Sequence, residues 1–511
     1  MTQVLLSTLN AQYIHASLGL RYLLANLGEL RSQAKLIEFT IEQRPIDIVE
    51  SVLAHDPKIV GFGVYIWNVT QTTEVVALLK AIRPDITVVL GGPEVSYEFD
   101  AQRIVQLADY LITGQGDQAF ATLCRQILAD QRPLKKVIQA ATPKMDDLAM
   151  PYREYTDNDI AKRLIYVEAS RGCPFKCEFC LSSLDKTAWP FQLERFLGEM
   201  QSLYERGARH FKFVDRTFNL NVKVSKRILD FFLERTTPDR VDLFAHFELI
   251  PDHLPEVLKE SIAKFPAGSL QFEIGIQTMN PTVQANISRK QDDAQTAENI
   301  RWLRNHTQAH LHADLIVGLP GESVQSFAEG FDRLVRLNPH ELQVGILKRL
   351  RGTPIARHTE AFDMRYNPQP PYNILSNSLI DFPTMQRLNR FARYWDMIAN
   401  SGRFVHTRGL LLGDAPFERF LSFSDWVFAG TGQTHRIALD RLYELVFDML
   451  TTKLGVEVAV ASDVLSRDYV ESGARGAPKF LTQKVSAPMA ATAHSNTRRQ
   501  TRHRREGAAG R

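Results

Sequence analysis

Five short apolar runs, at residues 4–8, 34–40, 59–66, 86–90 and 110–113, alternate with segments of helical periodicity at 18–30, 46–53 and 72–82. A strand that reads as one continuous apolar run must be covered on both faces, and the covering helices make the sheet parallel. Residues 1–131 are therefore predicted to form a doubly wound α/β domain. Residues 117–128 also carry helical spacing. Cys124, inside that stretch, reads as a core thiol, because free cysteine is among the most buried residue types.

Residues 132–162 contain Pro133, Pro143 and Pro151 and read as a linker. A second and longer series follows, with strand-like runs at 164–169, 210–214, 243–247, 270–276, 312–317 and 342–347. Helical stretches at 191–206, 222–235 and 294–306 separate them. Six parallel strands with intervening helices form an open sheet or a partial (β/α)6 barrel, here assigned to residues 163–360. From 361 to 470 the pattern turns helical, with Phe391, Tyr394, Trp395, Tyr443, Phe447 and Leu450 on apolar faces. Phe417, Phe420, Trp426 and Phe428 read as exposed aromatics in this third domain. Residues 487–511 lack apolar periodicity and read as a disordered basic tail. Three domains suit a chain of 511 residues.

The net charge of +3 is concentrated in that tail, where six arginines face the single acid Glu506. Without this excess of five positive charges, residues 1–484 carry −2. The folded part thus lacks the basic balance of a dedicated nucleic-acid binder. The N-terminus shows no basic leader before a long apolar core, and no stretch approaches the roughly 20 apolar residues of a membrane span. A cytoplasmic protein is expected.

Three of the four cysteines fall within eight positions, Cys173, Cys177 and Cys180, directly after a predicted strand. Parallel α/β folds place their sites at that carboxyl edge. Thiolates are soft ligands that suit iron–sulfur clusters or zinc. A structural zinc site needs a fourth ligand nearby, and none is evident in the next 25 residues. Three cysteines on a 4Fe-4S cluster leave one iron open to a small molecule.

The CxxxCxxC array after a first barrel strand resembles that of the radical S-adenosylmethionine superfamily. Supporting matches are the run from Phe213 to Asn219, Glu273 to Gln277, Asp314 to Glu322, and Arg351 to Pro354. The resemblance implies that the open iron chelates S-adenosylmethionine. It places Phe179 beside the adenine and brings Asp215, Glu273, Gln277 and Gly318 toward the cofactor. Each also has a plainer reading: Asp215 and Glu273 as loop caps at strand ends, Gly318 as a turn former. His246 and His312 lie inside strand patterns and read as satisfied buried histidines.

The loops after the first-domain strands hold Tyr65 and Trp67, the run Gly91-Gly92-Pro93-Glu94, and Gly114 with Gly116. Paired glycines let backbone approach a large ligand closely. No GxGxxG follows the first strand, which argues against a dinucleotide fold. Position and pattern resemble the cobalamin-binding domain, of flavodoxin-like strand order, that precedes many radical S-adenosylmethionine domains. One departure is the absence of DxHxxG, whose histidine ligates cobalt in many such domains. Around His15 both the aspartate and the glycine are missing.

The resemblance implies an enzyme that uses a 4Fe-4S cluster, S-adenosylmethionine and cobalamin to modify an unactivated carbon of a small-molecule substrate. Methyl transfer leads, against cyclisation or rearrangement. A reductant such as flavodoxin or ferredoxin is the implied partner. Two rivals are a non-catalytic redox or cobalamin sensor docking through the third-domain aromatics, and a nucleic-acid methylthiolase. The latter ranks lowest, because those relatives carry an N-terminal domain with its own cysteines.

Overall fold

A computed structural model describes residues 2–236, 242–474, 476 and 478. The expected disordered tail, 487–511, lies outside the described residues. The chain forms two compact units. The first comprises residues 1–216 with the segments 348–357 and 367–373; the second comprises 217–347, 358–366 and 374 onward.

The first unit is built on six parallel strands: β1 (Val4–Asn10), β2 (Ala34–Thr40), β3 (Ile59–Gly63), β4 (Thr87–Gly91), β5 (Tyr110–Thr113) and β6 (Val137–Gln139). They lie in the order β2-β1-β3-β4-β5-β6, which is the expected flavodoxin-like order with one strand added. Alternate side chains feed separate cores on the two faces. Leu5, Val60, Phe62, Val88 and Leu90 meet Ile48, Val52, Val75 and Leu79 on one face. Val4, Leu6, Ile59, Val89 and Ile112 meet Leu20, Leu24, Phe120 and Cys124 on the other. Cys124 is fully buried, as its helical spacing implied.

The linker reading of 132–162 needs correction. Val137–Gln139 pairs with β5 as a sixth strand, and Asp157–Lys162 is a helix closed by a capping box of Thr156 and Asp159. The prolines that suggested a linker sit between these short elements. The helix expected over 18–30 stops at Ala25 and continues after a break as a 3-10 segment, Gly28–Gln33, with Gly28 at φ +60°.

After the linker region come β7 (Ile165–Val167), the two-residue strands β8 (Ser170–Arg171) and β9 (Trp189–Pro190), and β10 (His210–Phe213). β7 and β10 pair in parallel, while β8 and β9 form a small antiparallel ribbon.

The second unit holds the parallel strands β11 (Phe244–Leu249), β12 (Leu270–Gln277), β13 (His310–Val317) and β14 (Glu341–Ile346), paired in that order. All six strands predicted for the second series are therefore present. Along β12 and β13 fully buried residues alternate with partly exposed ones, so each strand has an apolar face and a polar face.

The C-terminal part is helical, with helices Phe382–Ile398, Val405–Leu412, Pro416–Thr431, Leu439–Asp448 and Val458–Glu471. Phe417 and Phe420, expected to be exposed, are buried, and this overturns the docking patch. They pack with Phe331, Phe391 and Trp395 at centroid separations of 5.0–5.8 Å. Trp426 and Phe428 are half-buried, and Arg390 lies 4.2 Å over the Phe428 ring.

Candidate active site

The carboxyl ends of β1, β3, β4 and β5 open into a cavity of about 900 Å³ within the first unit. Its lining gathers all six residues predicted for the first-domain ligand: Tyr65, Trp67, Gly91, Gly92, Gly114 and Gly116. Tyr65 and Trp67 stack with centroids 4.5 Å apart and planes 6° from parallel. The Trp67 indole donates to the Leu9 carbonyl at 3.3 Å and leaves the residue 44% exposed. Burial pushes the Tyr65 hydroxyl above its ordinary pKa, opposed by a hydrogen bond with Ser17.

The glycines serve different purposes. Gly92 has φ +110°, and a Cβ there would lie 2.4 Å from the Val64 carbonyl oxygen, so the loop itself demands glycine. Gly116 caps the helix Asp117–Leu128, and a Cβ would come within 3.3 Å of Ile112. At Gly91 a Cβ meets only ordinary contact, 3.7 Å from the Ile112 carbonyl. Gly61 and Gly63, also in the lining, went unnoticed in the sequence. Two glycines spaced by two in an apolar strand share one face, which was the available signal.

Further lining comes from Tyr166, Glu168, Arg171, Gly172, Ser182, Asp185, Val214 and Arg216, of which Arg171, Gly172, Ser182 and Asp185 flank the cysteine loop in sequence. Arg171 pairs with Asp117 at 2.9 Å and Glu168 at 2.7 Å, and its guanidinium lies 4.2 Å over the Tyr22 ring. Behind the first sheet, Arg21 pairs with Glu38 at 2.8 Å and Asp159 at 3.0 Å, and Arg163 reaches Glu38 at 2.7 Å. No local pattern announced either network. His15 places Nδ1 2.7 Å from the Tyr166 hydroxyl, and burial with nearby Lys212 holds its pKa below the ordinary value.

The cysteine loop starts at Gly172, at φ +90°, where a Cβ would lie 2.1 Å from the Thr187 carbonyl oxygen. The Cys173 amide donates to Asp185 O at 3.2 Å, and the Cys180 amide donates to Cys177 O at 3.1 Å. Ser183 Oγ donates to the carbonyls of Cys177 and Cys180 at 2.8 and 2.7 Å. Cys173 and Cys177 are buried, Cys180 is half-buried, and none of the three is joined in a disulfide. Burial pushes the Cys173 thiol up to about 11, and the charges of Cys180 and Cys177 push the same way, so the three sulfurs sense one another.

Three soft thiol ligands on one loop, none of them in a disulfide, fit a polynuclear iron–sulfur cluster. Among the described residues, no three His, Cys, Asp or Glu converge as a single-ion site would require. Phe179 is half-buried between Cys177 and Cys180. Asp215 is buried and accepts from the Ala169 amide at 2.9 Å and Ser170 Oγ at 2.7 Å. That is the cap reading. Burial raises its carboxyl to about 7.

Glu273, Gln277 and Gly318 belong to the second unit. Glu273 stands in mid-strand rather than at the strand end, 3.1 Å from His246 Nε2. His312 lies 3.3 Å from Asp314; burial opposes its charge, but Asp314, Glu341 and Glu273 outweigh burial and raise it to about 9. Both histidines thus lie beside carboxylates. Gln277 ends β12 at φ +70°. Gly318, at φ +89°, leaves no room for a Cβ, which would lie 2.7 Å from Ile374 Cγ2. Packing alone accounts for that glycine.

Residues 5–124 match the B12 binding domain family, 167–334 the Radical SAM superfamily, and 360–507 a family described as a protein of unknown function (DUF4080). An uncharacterised methyltransferase of Pyrococcus horikoshii is 26% identical over 60% of this chain and 70% of its own length. The cobalamin-dependent radical SAM methyltransferase TokK of Streptomyces tokunonensis is 24% identical over 81% of this chain and 65% of its own. The fold matches that of OxsB, a cobalamin-dependent S-adenosylmethionine radical enzyme solved with aqua-cobalamin and S-adenosylmethionine. Its TM-score is 0.63, at 12% identity over 99% of this chain and 84% of that one. TsrM, a radical S-adenosylmethionine methyltransferase of Kitasatospora setae, gives 0.59 at 16% identity over 73% and 80%. With its domains in this order and fold, the chain belongs to the cobalamin-binding radical S-adenosylmethionine superfamily.

Proposed function

We propose that this chain is a methyltransferase that binds cobalamin in the glycine-lined cavity of the first unit and a 4Fe-4S cluster on Cys173, Cys177 and Cys180. One observation carries the reading: Arg171 and Gly172, which line the cavity, run directly into Cys173. The loop for the cluster and the edge of the first sheet therefore share one cavity.

When bound, the cluster supplies the electron that cleaves S-adenosylmethionine to a 5′-deoxyadenosyl radical, and the corrinoid supplies the methyl group. The protein's part is positioning. The Tyr65–Trp67 stack offers a flat apolar surface, and Gly91 and Gly114 let backbone approach a large planar ligand. Asp215 and Ser183 hold the cysteine loop from either side. His15 Nδ1 meets the Tyr166 hydroxyl, and because the aspartate and glycine of DxHxxG are missing around it, His15 is not assigned as a cobalt ligand. Phe179, on the cysteine loop, is assigned to S-adenosylmethionine. The substrate is a small molecule, and a flavodoxin or ferredoxin delivers the electron. Among the described residues no helix is long and apolar enough to cross a membrane. The sensor alternative loses its docking patch, because Phe417 and Phe420 are core residues.

The test is anaerobic reconstitution followed by assay for 5′-deoxyadenosine and S-adenosylhomocysteine. Methyl transfer requires S-adenosylhomocysteine, from remethylation of the corrinoid. If 5′-deoxyadenosine forms alone, rearrangement or cyclisation becomes the better account. If no cobalamin binds at micromolar concentration, the methyl-transfer reading falls.

A further inference from the structure

The segment 349–357 carries two sets of anchors, one on each side of the candidate site. At its first end stands Glu94, which follows Gly91 and Gly92 of the cavity loop and is only 4% exposed. Its Oε1 accepts from the Tyr372 hydroxyl at 2.6 Å and from Arg351 Nε at 2.9 Å. Arg351 also donates to the Tyr372 hydroxyl at 3.0 Å. A few residues on, Glu98 accepts from Arg349 at 3.0 Å and from the Gly352 amide at 3.3 Å. Gly352, at φ +78°, lies against the Tyr97 ring, where a Cβ would be 2.3 Å from Cγ.

At the other end the anchor is Glu178, buried between Cys177 and Phe179. Its backbone carbonyl accepts from the Ile355 amide at 3.0 Å, and its carboxylate takes both Arg357 donors at 2.5 and 2.8 Å. The stretch between these anchors is a short 3-10 turn, Pro354–His358, led in by Gly352. Charge-assisted hydrogen bonds to the buried carboxylates of Glu94 and Glu178 thus hold the segment at both ends.

We infer that Arg351 and Glu178 are positioning residues through which the 349–357 strap ties the cavity loop at Gly91–Glu94 to the cysteine loop, so that occupancy of the cavity alters the environment of the cluster. The inference rests on the cofactor reading above. A ligand settling against Gly91 and Gly92 displaces Glu94. The Glu94–Arg351–Tyr372 contact then hands that displacement to Ile355 and Arg357, and through them to the peptide between Cys177 and Cys180. Hydrogen bonding and backbone placement around cluster sulfurs set spectrum and potential.

The experiment uses the full chain loaded with cluster, with and without hydroxocobalamin, read by electron resonance of the reduced cluster and by its midpoint potential. Addition of hydroxocobalamin should shift both in the wild type. Arg351→Met and Glu94→Gln should bind iron and cobalamin normally yet lose the shift, and Arg351→Lys should recover part of it. Tyr372→Phe, the mildest change, guards against misfolding and should reduce the shift. A wild-type-sized shift in Arg351→Met overturns the strap, as does a wild type that binds cobalamin with no change in its cluster. If no cobalamin binds, the cofactor reading is what has failed. The strap then stands or falls on the cobalamin-free arm, where Arg351→Met and Arg357→Lys must alter the cluster spectrum.

Discussion

The Asp215 carboxylate receives the Ala169 amide at 2.9 Å, binding the carboxyl end of β10 to the turn that leads into the cysteine loop. Ser170 Oγ completes the cap. Asp215→Asn turns one acceptor into a donor facing these donors, which should cost about 1–3 kcal/mol. Urea unfolding should shift accordingly, and reconstituted iron per chain should fall. Unchanged stability with lost S-adenosylmethionine cleavage would instead move Asp215 into direct cofactor contact.

Replacing Cys173, Cys177 or Cys180 with alanine should each remove most of the roughly four irons of a 4Fe-4S centre. Cys124→Ala should keep the iron. Cys124 is fully buried in the first-domain core, where burial pushes its thiol up to about 12. Its loss should cost only about 1 kcal/mol of packing. Comparable iron loss from Cys124→Ala, measured by iron assay, would point to a four-thiolate site.

Gly91→Val offers the cleanest block of the cavity, since a Cβ there meets nothing closer than 3.7 Å and the loop needs no left-handed conformation. The variant should fold with wild-type Tm, retain its iron and lose at least tenfold in cobalamin affinity by spectral titration. Gly92→Leu is a poor substitute, because the Val64 carbonyl would force the loop itself to move. Wild-type cobalamin binding by Gly91→Val would put the corrinoid elsewhere.

Glu322 is 2% exposed, and burial raises its carboxyl to about 7 against a hydrogen bond from Thr278 at 2.5 Å. The unfolded carboxyl loses its proton near its ordinary 4.5, while the folded one holds it until about 7. Stability from this group is therefore complete below 4.5 and drains away as pH rises to 7, by about 3 kcal/mol. Glu322→Gln keeps an acceptor for Thr278 and carries no charge. Its Tm should fall less than that of the wild type between pH 5 and 8, and parallel curves would refute the assignment.

The strands and the cysteine loop were legible because their signals are local: apolar runs of four to eight residues, and three thiols within eight positions. The six cavity residues were found for the same reason, each lying at or just beyond the carboxyl end of a predicted strand. What escaped depends on distance along the chain. Glu94 meets Arg351, and Arg21 meets Asp159, across separations of 257 and 138 residues, and charged residues give no periodic hint of their partners. Phe417 and Phe420 were misjudged although their spacing of three, continued by Phe423, marks one helical face. The polar and half-buried residues between them obscured that face. At Gly318 the sequence left a turn and a ligand contact open, because glycine reports a positional need without saying whether backbone, packing or ligand creates it.

The Arg21–Glu38–Asp159–Arg163 cluster also bears on how such a protein can be recombined. A gene fusion that joined a first domain at residue 131 to a foreign catalytic half would bury Arg21 and Glu38 without Asp159 and Arg163. Breaking a buried pair in this way costs on the order of 3–5 kcal/mol, a large part of a domain's margin. The workable crossover lies beyond Arg163, so the corrinoid module is inherited together with the helix Asp157–Lys162. Exchange between relatives at the sequence-defined boundary should yield insoluble protein, whereas exchange a few residues after Arg163 should yield chimeras that fold.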